Sequence, residues 1–334
     1  MTAIRKPYLL FLGDAHDRLA AKTAIGVYDW RPDDCVGQYR LPGCEPDLGI
    51  DDLSIAEAAA RGARTLLVGV ANRGGIIPES WLEPMCRALE AGMDVASGLH
   101  TRLDSITRLR DTAAQSGGAL IDVRKPNRDY PVASGEPRSG HRVLAVGTDC
   151  SVGKMYTTLA IEREMRARGM QAEFRATGQT GIFIAGSGVP VDAVVADFIS
   201  GSIETLCPAA APDHWDIVEG QGSLFHPSFA GVSLGLLHGA QPDYLVLCHE
   251  PTRNHMRGLP HRGLPGLQEC MEVNLRAARL VSDNPRFAGI SVNTWHVPAD
   301  GREDLLARIE DEFGMPCVDP MVTGVGALVD NLKG

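Results

Sequence analysis

The sequence predicts an α/β protein of two domains, each built on a parallel sheet. Short continuous apolar runs, typical of strands covered on both faces, alternate with helical patterns in both halves of the chain. A segment rich in proline, glycine and charge interrupts this alternation. The length of 334 residues suits about two domains of ordinary size. We therefore expect one domain at 1–125, a linker at 126–141 and a second domain at 142–334.

The first half reads as strand, helix, strand in alternation. Its apolar runs predict buried strands at 8–13, 65–70, 94–98 and 119–124. Amphipathic patterns between them predict helices within 54–63, 80–92 and 101–118. This order implies a doubly wound parallel sheet.

The second half restarts with the apolar run "RVLAVG". A helix is predicted from about 154 to 168, with Gly169 as its C-cap. Further strands are predicted from four stretches: "AEFRATG", "DIVEGQGS", "YLVLCHEP" and "GISVNT". Their carboxyl ends carry most of the polar and glycine-rich sequence, which is where open α/β sheets bind ligands.

Composition excludes several classes of partner. A formal charge of -10 is unsuited to an extended nucleic-acid or anionic-membrane surface, and no apolar stretch is long enough to span a bilayer. The eight cysteines are scattered without C-x-x-C spacing, as expected for reduced thiols in the cytoplasm. The sequence leaves open whether the chain forms a homo-oligomer.

The strongest motif is "GTDCSVGK", in which two glycines separated by five intervening residues precede a lysine between a strand and a helix. Amide groups of such a loop converge on an anion at the helix N-terminus, and the lysine adds a point charge. We therefore predict phosphate binding here, although the residue after the lysine is methionine where magnesium-binding loops have Ser or Thr. The residues assigned to this site are Gly147, Thr148, Asp149, Cys150, Ser151, Val152, Gly153, Lys154, Met155 and Tyr156.

An acidic residue follows another predicted strand in "DIVEGQGSLFHP". Glu219 is thereby placed at the mouth of the sheet, as a candidate base or metal ligand, and His226 is a candidate proton shuttle. With Lys154 these residues are the predicted catalytic group. A carboxylate that merely caps a turn and a structural histidine are the alternatives.

Other strand ends supply candidate substrate-binding residues. Arg253 suits a substrate carboxylate because a guanidinium group binds carboxylates with two hydrogen bonds. Gln179 and Asp197 lie in a glycine-rich stretch, and Asn72 and His100 follow strands of the first half. A solvated loop is the alternative for the charged residues.

Together these motifs resemble a known family. "GTDCSVGK" with "EGQG" is similar to the dethiobiotin synthetase type of P-loop protein. The fuller set, which adds "ATGQTGI", "VDAVVADFISGSIE", "HEPTR", "GVANRGG", "SGLH" and "DVRKP", resembles the two-domain D-glutamate N-acetyltransferases over about residues 8 to 330. This resemblance implies a Rossmann-like domain followed by a P-loop domain, and acetyl transfer from acetyl-CoA to the amino group of D-glutamate. It also makes Met155 part of the family pattern, whereas Tyr156 replaces an expected small residue.

We therefore expect an acetyl-CoA-dependent N-acetyltransferase that needs no metal. An ATP- and magnesium-dependent carboxylate ligase or small-molecule kinase is the alternative, with Thr157 or Glu219 as the metal ligand. A nucleotide-sensing module without catalysis is a third.

Overall fold

The computed structural model describes residues 4–72, 74–126 and 128–332. The chain divides into two compact units, which comprise Met1–Asn127 with Gln179–Ala193 (unit 1) and Arg128–Gly178 with Val194–Gly334 (unit 2). Within the described residues, no helix is long and apolar enough to cross a membrane.

Unit 1 is a five-stranded sheet with helices in the connections. Its strands are β1 (Tyr8–Gly13), β2 (Cys35–Arg40), β3 (Thr65–Val68), β4 (Asp94–Ser97) and β5 (Leu120–Asp122), and its first helices are α1 (Lys22–Trp30), α2 (Ile55–Ala60), α3 (Leu82–Glu90) and α4 (Thr107–Ser116). The strands lie in the order β2-β1-β3-β4-β5 and every pair is parallel. Apolar side chains of β1 and β3 are fully buried, as the continuous apolar runs predicted.

Unit 2 is a six-stranded sheet. Its strands are β6 (His141–Gly147), β7 (Gln171–Arg175), β8 (His214–Val218), β9 (Tyr244–His249), β10 (Arg286–Val292) and β11 (Cys317–Val318). Its helices are α5 (Lys154–Ala167), α7 (Ile199–Leu206), α8 (Ala230–Ala240), α9 (Leu267–Ala278), α10 (Arg302–Phe313) and α11 (Gly326–Asn331). The order is β11-β10-β9-β6-β8-β7, again parallel throughout. The predicted fold class of two parallel α/β sheets is thus confirmed.

One segment groups differently from the sequence-based boundaries, which assigned all of 142–334 to the second domain. Residues Gln179–Ala193 belong to unit 1, and they begin with helix α6 (Gln179–Ala185). Helix α6 packs against α1, where Ile182 and Phe183 are both 0% exposed. Apolar burial therefore places this segment in unit 1.

Candidate active site

The glycine-rich loop joins β6 to α5, as predicted. Gly147 is the last residue of β6, and Lys154 is the first residue of α5. Gly153 has a φ of 104°, a backbone conformation that favours glycine over residues with a side chain. At the start of a helix the first amide groups have no intrahelical acceptor, so they remain available for an anion.

Lys154 is a buried lysine rather than a surface one. Its Nζ donates to the carbonyl of Asp149 at 2.9 Å, and only 7% of the residue is exposed. Burial lowers the pKa of Lys154 because the ammonium form loses hydration. The attraction between a buried ammonium group and a bound anion is stronger than it would be in water, because the effective dielectric constant of the interior is lower.

Gly220 explains how Lys154 reaches the sheet mouth. A Cβ atom at Gly220 would lie 1.7 Å from the carbonyl oxygen of Ala145 and 3.1 Å from the Cδ of Lys154. Only glycine therefore fits between β6 and the stem of the lysine. The "EGQG" stretch is thus a packing requirement of the phosphate loop as well as a turn.

Asp149 is fully buried inside the loop, and its carboxylate is neutralised locally. Its Oδ2 accepts from Arg253 Nη1 at 2.6 Å and from the backbone N–H of Arg257 at 2.7 Å. Its Oδ1 accepts from the backbone N–H of Cys150 at 2.7 Å. Asp149 is therefore a structural anchor of the loop.

Arg253 is occupied by the loop, although the sequence suggested that it pairs a substrate carboxylate. Besides Asp149, its guanidinium donates to the carbonyls of Cys150 at 2.7 Å and Ser151 at 3.2 Å. Glu250 lies 3.4 Å away as a second carboxylate. With these partners Arg253 is bound to the glycine-rich loop, and its predicted role in binding a substrate carboxylate stays a prediction.

Thr157 is the Ser or Thr residue closest in sequence to Met155, the position where magnesium-binding loops have Ser or Thr, and it lies in the interior. Thr157 is 1% exposed, and its Oγ1 contacts the Ser291 hydroxyl at 2.8 Å and the Gly153 carbonyl at 3.1 Å. Met155 and Tyr156 are half-buried on the first turn of α5. This loop therefore presents a thioether, a soft and weak ligand, where magnesium-dependent loops present oxygen.

Glu219 directly follows β8, and β8 pairs with β6, so the carboxylate and the phosphate loop lie on neighbouring strands. Its Oε2 accepts from the backbone N–H of Thr177 at 2.9 Å and of Gly178 at 3.0 Å. Burial raises the pKa of Glu219, while these amides and the side chain of Gln221 act in the opposite direction. A carboxylate with raised proton affinity and fixed orientation is suited to act as a general base.

His226 is buried, and its two nitrogens are both engaged. Nε2 lies 3.1 Å from the carbonyl of Arg257, which can only accept, so this nitrogen carries the proton. Nδ1 accepts from the backbone N–H of Ser228 at 3.2 Å. In this arrangement the ring is neutral and has no lone pair left for a substrate proton.

One group of side chains meets the distance requirement of a metal site among the described residues. Ligand atoms of Asp149, Cys150 and His226 lie within 4.8 Å of one another. The Asp149 carboxylate is already paired with Arg253, and both nitrogens of His226 form hydrogen bonds. Two of the three donors are therefore already engaged by protein groups, and the set does not fit a metal ion.

The remaining candidates are distributed over both units. Asn72, His100 and Gln179 belong to unit 1, where the Asn72 side chain closes a turn by bonding both backbone groups of Ile76. Asp197 is exposed in the short 3-10 turn Ala196–Phe198 of unit 2. Nε2 of His100 lies 3.1 Å from Nη1 of Arg124, and Oε1 of Gln179 is buried without a hydrogen-bond partner among the described residues.

Sequence reasoning missed the histidine that contacts the loop directly. His249 ends β9, on the other side of β6, and its Nδ1 lies 3.0 Å from the hydroxyl of Thr148. Burial lowers the pKa of His249, so it favours the neutral form. The only signal for this contact was its position at a strand end, which it shares with Glu250 and Arg253.

Comparison with known proteins places these observations in one family. Two models of the DUF1611 family match the chain: its P-loop domain of unknown function at residues 131–329 and its Rossmann-like domain of unknown function at residues 39–126. A crystal structure of a DUF1611 family protein from Anabaena variabilis ATCC 29413 is 30% identical, with a TM-score of 0.88 over 98% of this chain and 99% of that one.

Two curated relatives cover nearly the whole chain. A D-glutamate N-acetyltransferase of Tritonibacter scottomollicae is 55% identical, and one of a Pseudoalteromonas species is 48% identical. Each alignment spans 98% of this chain and 99% of the relative.

Proposed function

The chain belongs to the DUF1611 family and is an N-acetyltransferase like its curated relatives, and we propose that it moves the acetyl group of acetyl-CoA to the amino group of D-glutamate. The acceptor follows from the relatives, which are D-glutamate N-acetyltransferases at 55% and 48% identity. The observation that supports acetyl-CoA as the donor is a glycine-rich loop that has a buried lysine and, at the position of the magnesium ligand, a methionine.

A phosphate ester of CoA fits this loop because it needs charge and amide donors but no metal. The start of α5 offers amide groups, and Lys154 supplies a cation beside them. A triphosphate bound together with magnesium requires an oxygen ligand, which Met155 does not have. We therefore assign CoA phosphate binding to residues 147–156.

Proton removal is the step that the site must promote, because only the neutral amine is a nucleophile. In the proposed reaction Glu219 takes one proton from the ammonium group, and the amine forms a bond to the thioester carbonyl carbon. The tetrahedral intermediate collapses as the carbon–sulfur bond breaks, and the nitrogen loses its second proton to the CoA sulfur, which leaves as a thiol. Glu219 then releases the first proton to solvent. Positioned acid–base help of this kind contributes about 10²–10⁴-fold in rate.

Glu219 is preferred over His226 as the base because of their different hydrogen bonds. Glu219 keeps acceptor capacity on a carboxylate that burial makes more basic. Both nitrogens of His226 already form hydrogen bonds, one to the carbonyl of Arg257 and one to the backbone N–H of Ser228. We therefore assign proton transfer to Glu219 and a structural role to His226.

The alternative of an ATP- and magnesium-dependent ligase or kinase has less support. It needs a hydroxyl or carboxylate beside the loop as the metal ligand. Thr157, whose hydroxyl the sequence offers for this role, is 1% exposed and bonded to Ser291 and Gly153 in the interior. The cytoplasm remains the proposed compartment.

An activity assay with a chelator distinguishes the two functions. We expect purified protein to release CoA thiol and form N-acetylglutamate from acetyl-CoA and D-glutamate at the same rate with and without EDTA. No ATP hydrolysis is expected in parallel reactions that contain magnesium. Activity that disappears with EDTA and returns with magnesium, or product formation that requires ATP, would support the ligase reading instead.

A binding titration tests the phosphate site itself. Lys154→Ala should raise the Kd of CoA by about tenfold or more, because a charge-assisted contact is worth about 1.5–3 kcal/mol. Arg166→Ala, at an exposed position of the same helix, is the matched control and should leave this Kd unchanged. An unaltered CoA affinity in Lys154→Ala would refute the assignment.

A further inference from the structure

Two buried polar atoms of unit 1 have no hydrogen-bond partner among the described residues and lie at the carboxyl end of its sheet. They are Nε of Arg124, just after β5, and Oε1 of Gln179, at the start of α6. One is a donor and the other is an acceptor. Leaving such atoms unpaired in a protein interior costs free energy, so native structures rarely do so without a functional reason.

The rest of the Arg124 guanidinium is held in place by its neighbours. Its Nη2 lies 3.0 Å from a carboxylate oxygen of Asp192, and its Nη1 lies 3.1 Å from Nε2 of His100. A guanidinium can only donate, so Nε2 of His100 is the acceptor and this imidazole is neutral. The orientation of Arg124 is thereby fixed while its Nε–H stays unpaired. Its side chain is 21% exposed, so part of this residue is accessible from solvent.

Gln179 is held at the end of the neighbouring strand. A Cβ atom at Gly98 would lie only 2.1 Å from Oε1 of Gln179, so the absence of a side chain at Gly98 lets the amide approach. Strands β4 and β5 are adjacent, with Ser97 opposite Asp122, so the residues that follow them emerge side by side. The unpaired donor and the unpaired acceptor therefore lie at the ends of adjacent strands.

We propose that Arg124 and Gln179 bind the α-carboxylate and the α-amino group of the acceptor amino acid. An α-amino acid carries a hydrogen-bond acceptor and a donor on one carbon, which matches one unpaired donor and one unpaired acceptor at the ends of adjacent strands. The inference rests on the proposed function for the identity of the ligand. It also supplies the carboxylate partner that Arg253 cannot supply, because Arg253 is bound to Asp149. Arg124 is a binding residue here, and His100 and Asp192 orient it.

Direct binding of D-glutamate tests this site without requiring turnover. Calorimetric titration of Arg124→Gln should show a rise of at least about tenfold in the Kd of D-glutamate, as expected for a lost charge-assisted contact. Arg124→Lys keeps the positive charge but lacks the planar array of N–H donors of a guanidinium, so it should also weaken binding. Arg102→Gln is the matched control, because this arginine belongs to the same unit, is half exposed and pairs with Asp104. CoA affinity and melting temperature check that each variant is folded.

The choice of carboxylate is tested with D-glutamine, which has an uncharged side chain. Arg124→Gln should raise the Kd of D-glutamine and of D-glutamate by the same factor. An effect on D-glutamate alone would mean that Arg124 binds the side-chain carboxylate, which would overturn the α-carboxylate assignment. Folded Arg124 variants with the parent's Kd and KM for D-glutamate would overturn the site as a whole.

The proposed function and this site can fail separately. A parent protein that binds D-glutamate in an Arg124-dependent manner but does not acetylate it would refute the function and support the site. A parent that acetylates D-glutamate with no contribution from Arg124 would refute the site alone.

Discussion

At the scale of single residues, the two candidate proton acceptors differ in what their hydrogen bonds leave free. One oxygen of the Glu219 carboxylate accepts hydrogen bonds from two backbone N–H groups. His226 uses one nitrogen to donate and the other to accept, both to backbone groups. The first arrangement leaves lone pairs of the carboxylate available to accept a proton, whereas the second engages both ring nitrogens.

Substitution of these two residues should therefore give opposite results. Glu219→Gln should lower kcat by about 10²–10⁴-fold with little change in KM, because the amide keeps the shape and loses the basicity. His226→Gln should keep kcat within several-fold but lower the melting temperature, because buried backbone groups lose their partners at about 1–3 kcal/mol each. Steady-state kinetics and thermal unfolding of both variants measure this. Normal turnover in Glu219→Gln would exclude it as the base.

The pH dependence of catalysis should carry the signature of buried groups. Because burial raises the pKa of Glu219, the acid limb of kcat/KM should lie above the ordinary glutamate value of about 4.3. Because burial lowers the pKa of Lys154, the KM for acetyl-CoA should begin to rise on the alkaline side at a pH below the ordinary lysine value of about 10.4. A pH profile with Glu219→Gln and Lys154→Ala as controls measures both limbs. An acid limb at the value of an exposed glutamate would contradict the assignment.

The same raised pKa has a consequence for stability. Protonated Glu219 is the form that burial favours, so its contribution is full at low pH and is lost as pH rises through the folded-state pKa. Glu219→Gln should therefore lose less stability than the parent between acidic and neutral pH. Urea unfolding at a series of pH values gives the free energy of unfolding of both proteins as a function of pH. Parallel dependences would argue against a raised pKa for Glu219.

At the scale of elements, the β6–loop–α5 unit depends on an arginine from the segment after β9. Arg253 neutralises Asp149 and also binds two carbonyls of the loop. Such a pair is costly to break from one side, because the fully buried carboxylate keeps its charge and loses its partner. The loop conformation is thus maintained by a residue remote in sequence.

Arg253→Ala should consequently act on the loop and not on the acceptor. We expect the free energy of unfolding to fall by about 3–5 kcal/mol, as is typical when a buried ion pair is broken, and the Kd for CoA to rise. The Arg253→Ala/Asp149→Asn double variant should recover part of the stability, since the unpaired charge is removed. Thermal unfolding and CoA titration of the single and double variants test this. A raised KM for D-glutamate with an unchanged CoA affinity would restore Arg253 as a substrate ligand.

At the scale of the whole molecule, the chain passes from unit 2 to unit 1 at Gln179 and returns after Ala193. The inserted segment contributes apolar side chains that are fully buried in unit 1, together with Asp192, which pairs with Arg124. Thr180 and Thr23 join α6 to α1 through their hydroxyls at 3.3 Å. Unit 1 is therefore incomplete when it is made from the N-terminal half alone.

A split of the chain after residue 127 should expose this dependence. In the isolated fragment 128–334, residues 179–193 lack helix α1, against which α6 packs, so we expect protease cleavage within this segment. Co-expression with fragment 1–127 should protect it, and the full-length chain is the control. Limited proteolysis with mass spectrometry locates the cuts. Full protection in the isolated fragment would show that the segment does not need unit 1.

Sequence alone identified the features that adjacent residues encode. Continuous apolar runs gave the positions of β1, β3, β4 and the main strands of unit 2, because burial on both faces leaves a local pattern. The phosphate loop was recognisable because its glycines and lysine lie within eight residues of sequence, 147–154. Strand β2 was missed because polar residues interrupt it at the sheet edge, and β11 because it has only two residues.

Tertiary structure decided which partners those residues have. Asp149 and Arg253 are 104 positions apart, and no local pattern shows that one neutralises the other. The same holds for Arg124 with Asp192, and for the hydrogen bonds that engage both nitrogens of His226. Periodicity reports whether a side chain faces the core, but charge pairing and lone-pair occupancy depend on which distant segments pack together. The sequence therefore determined the fold class and the position of the glycine-rich loop, and packing determined which charged groups are paired with one another.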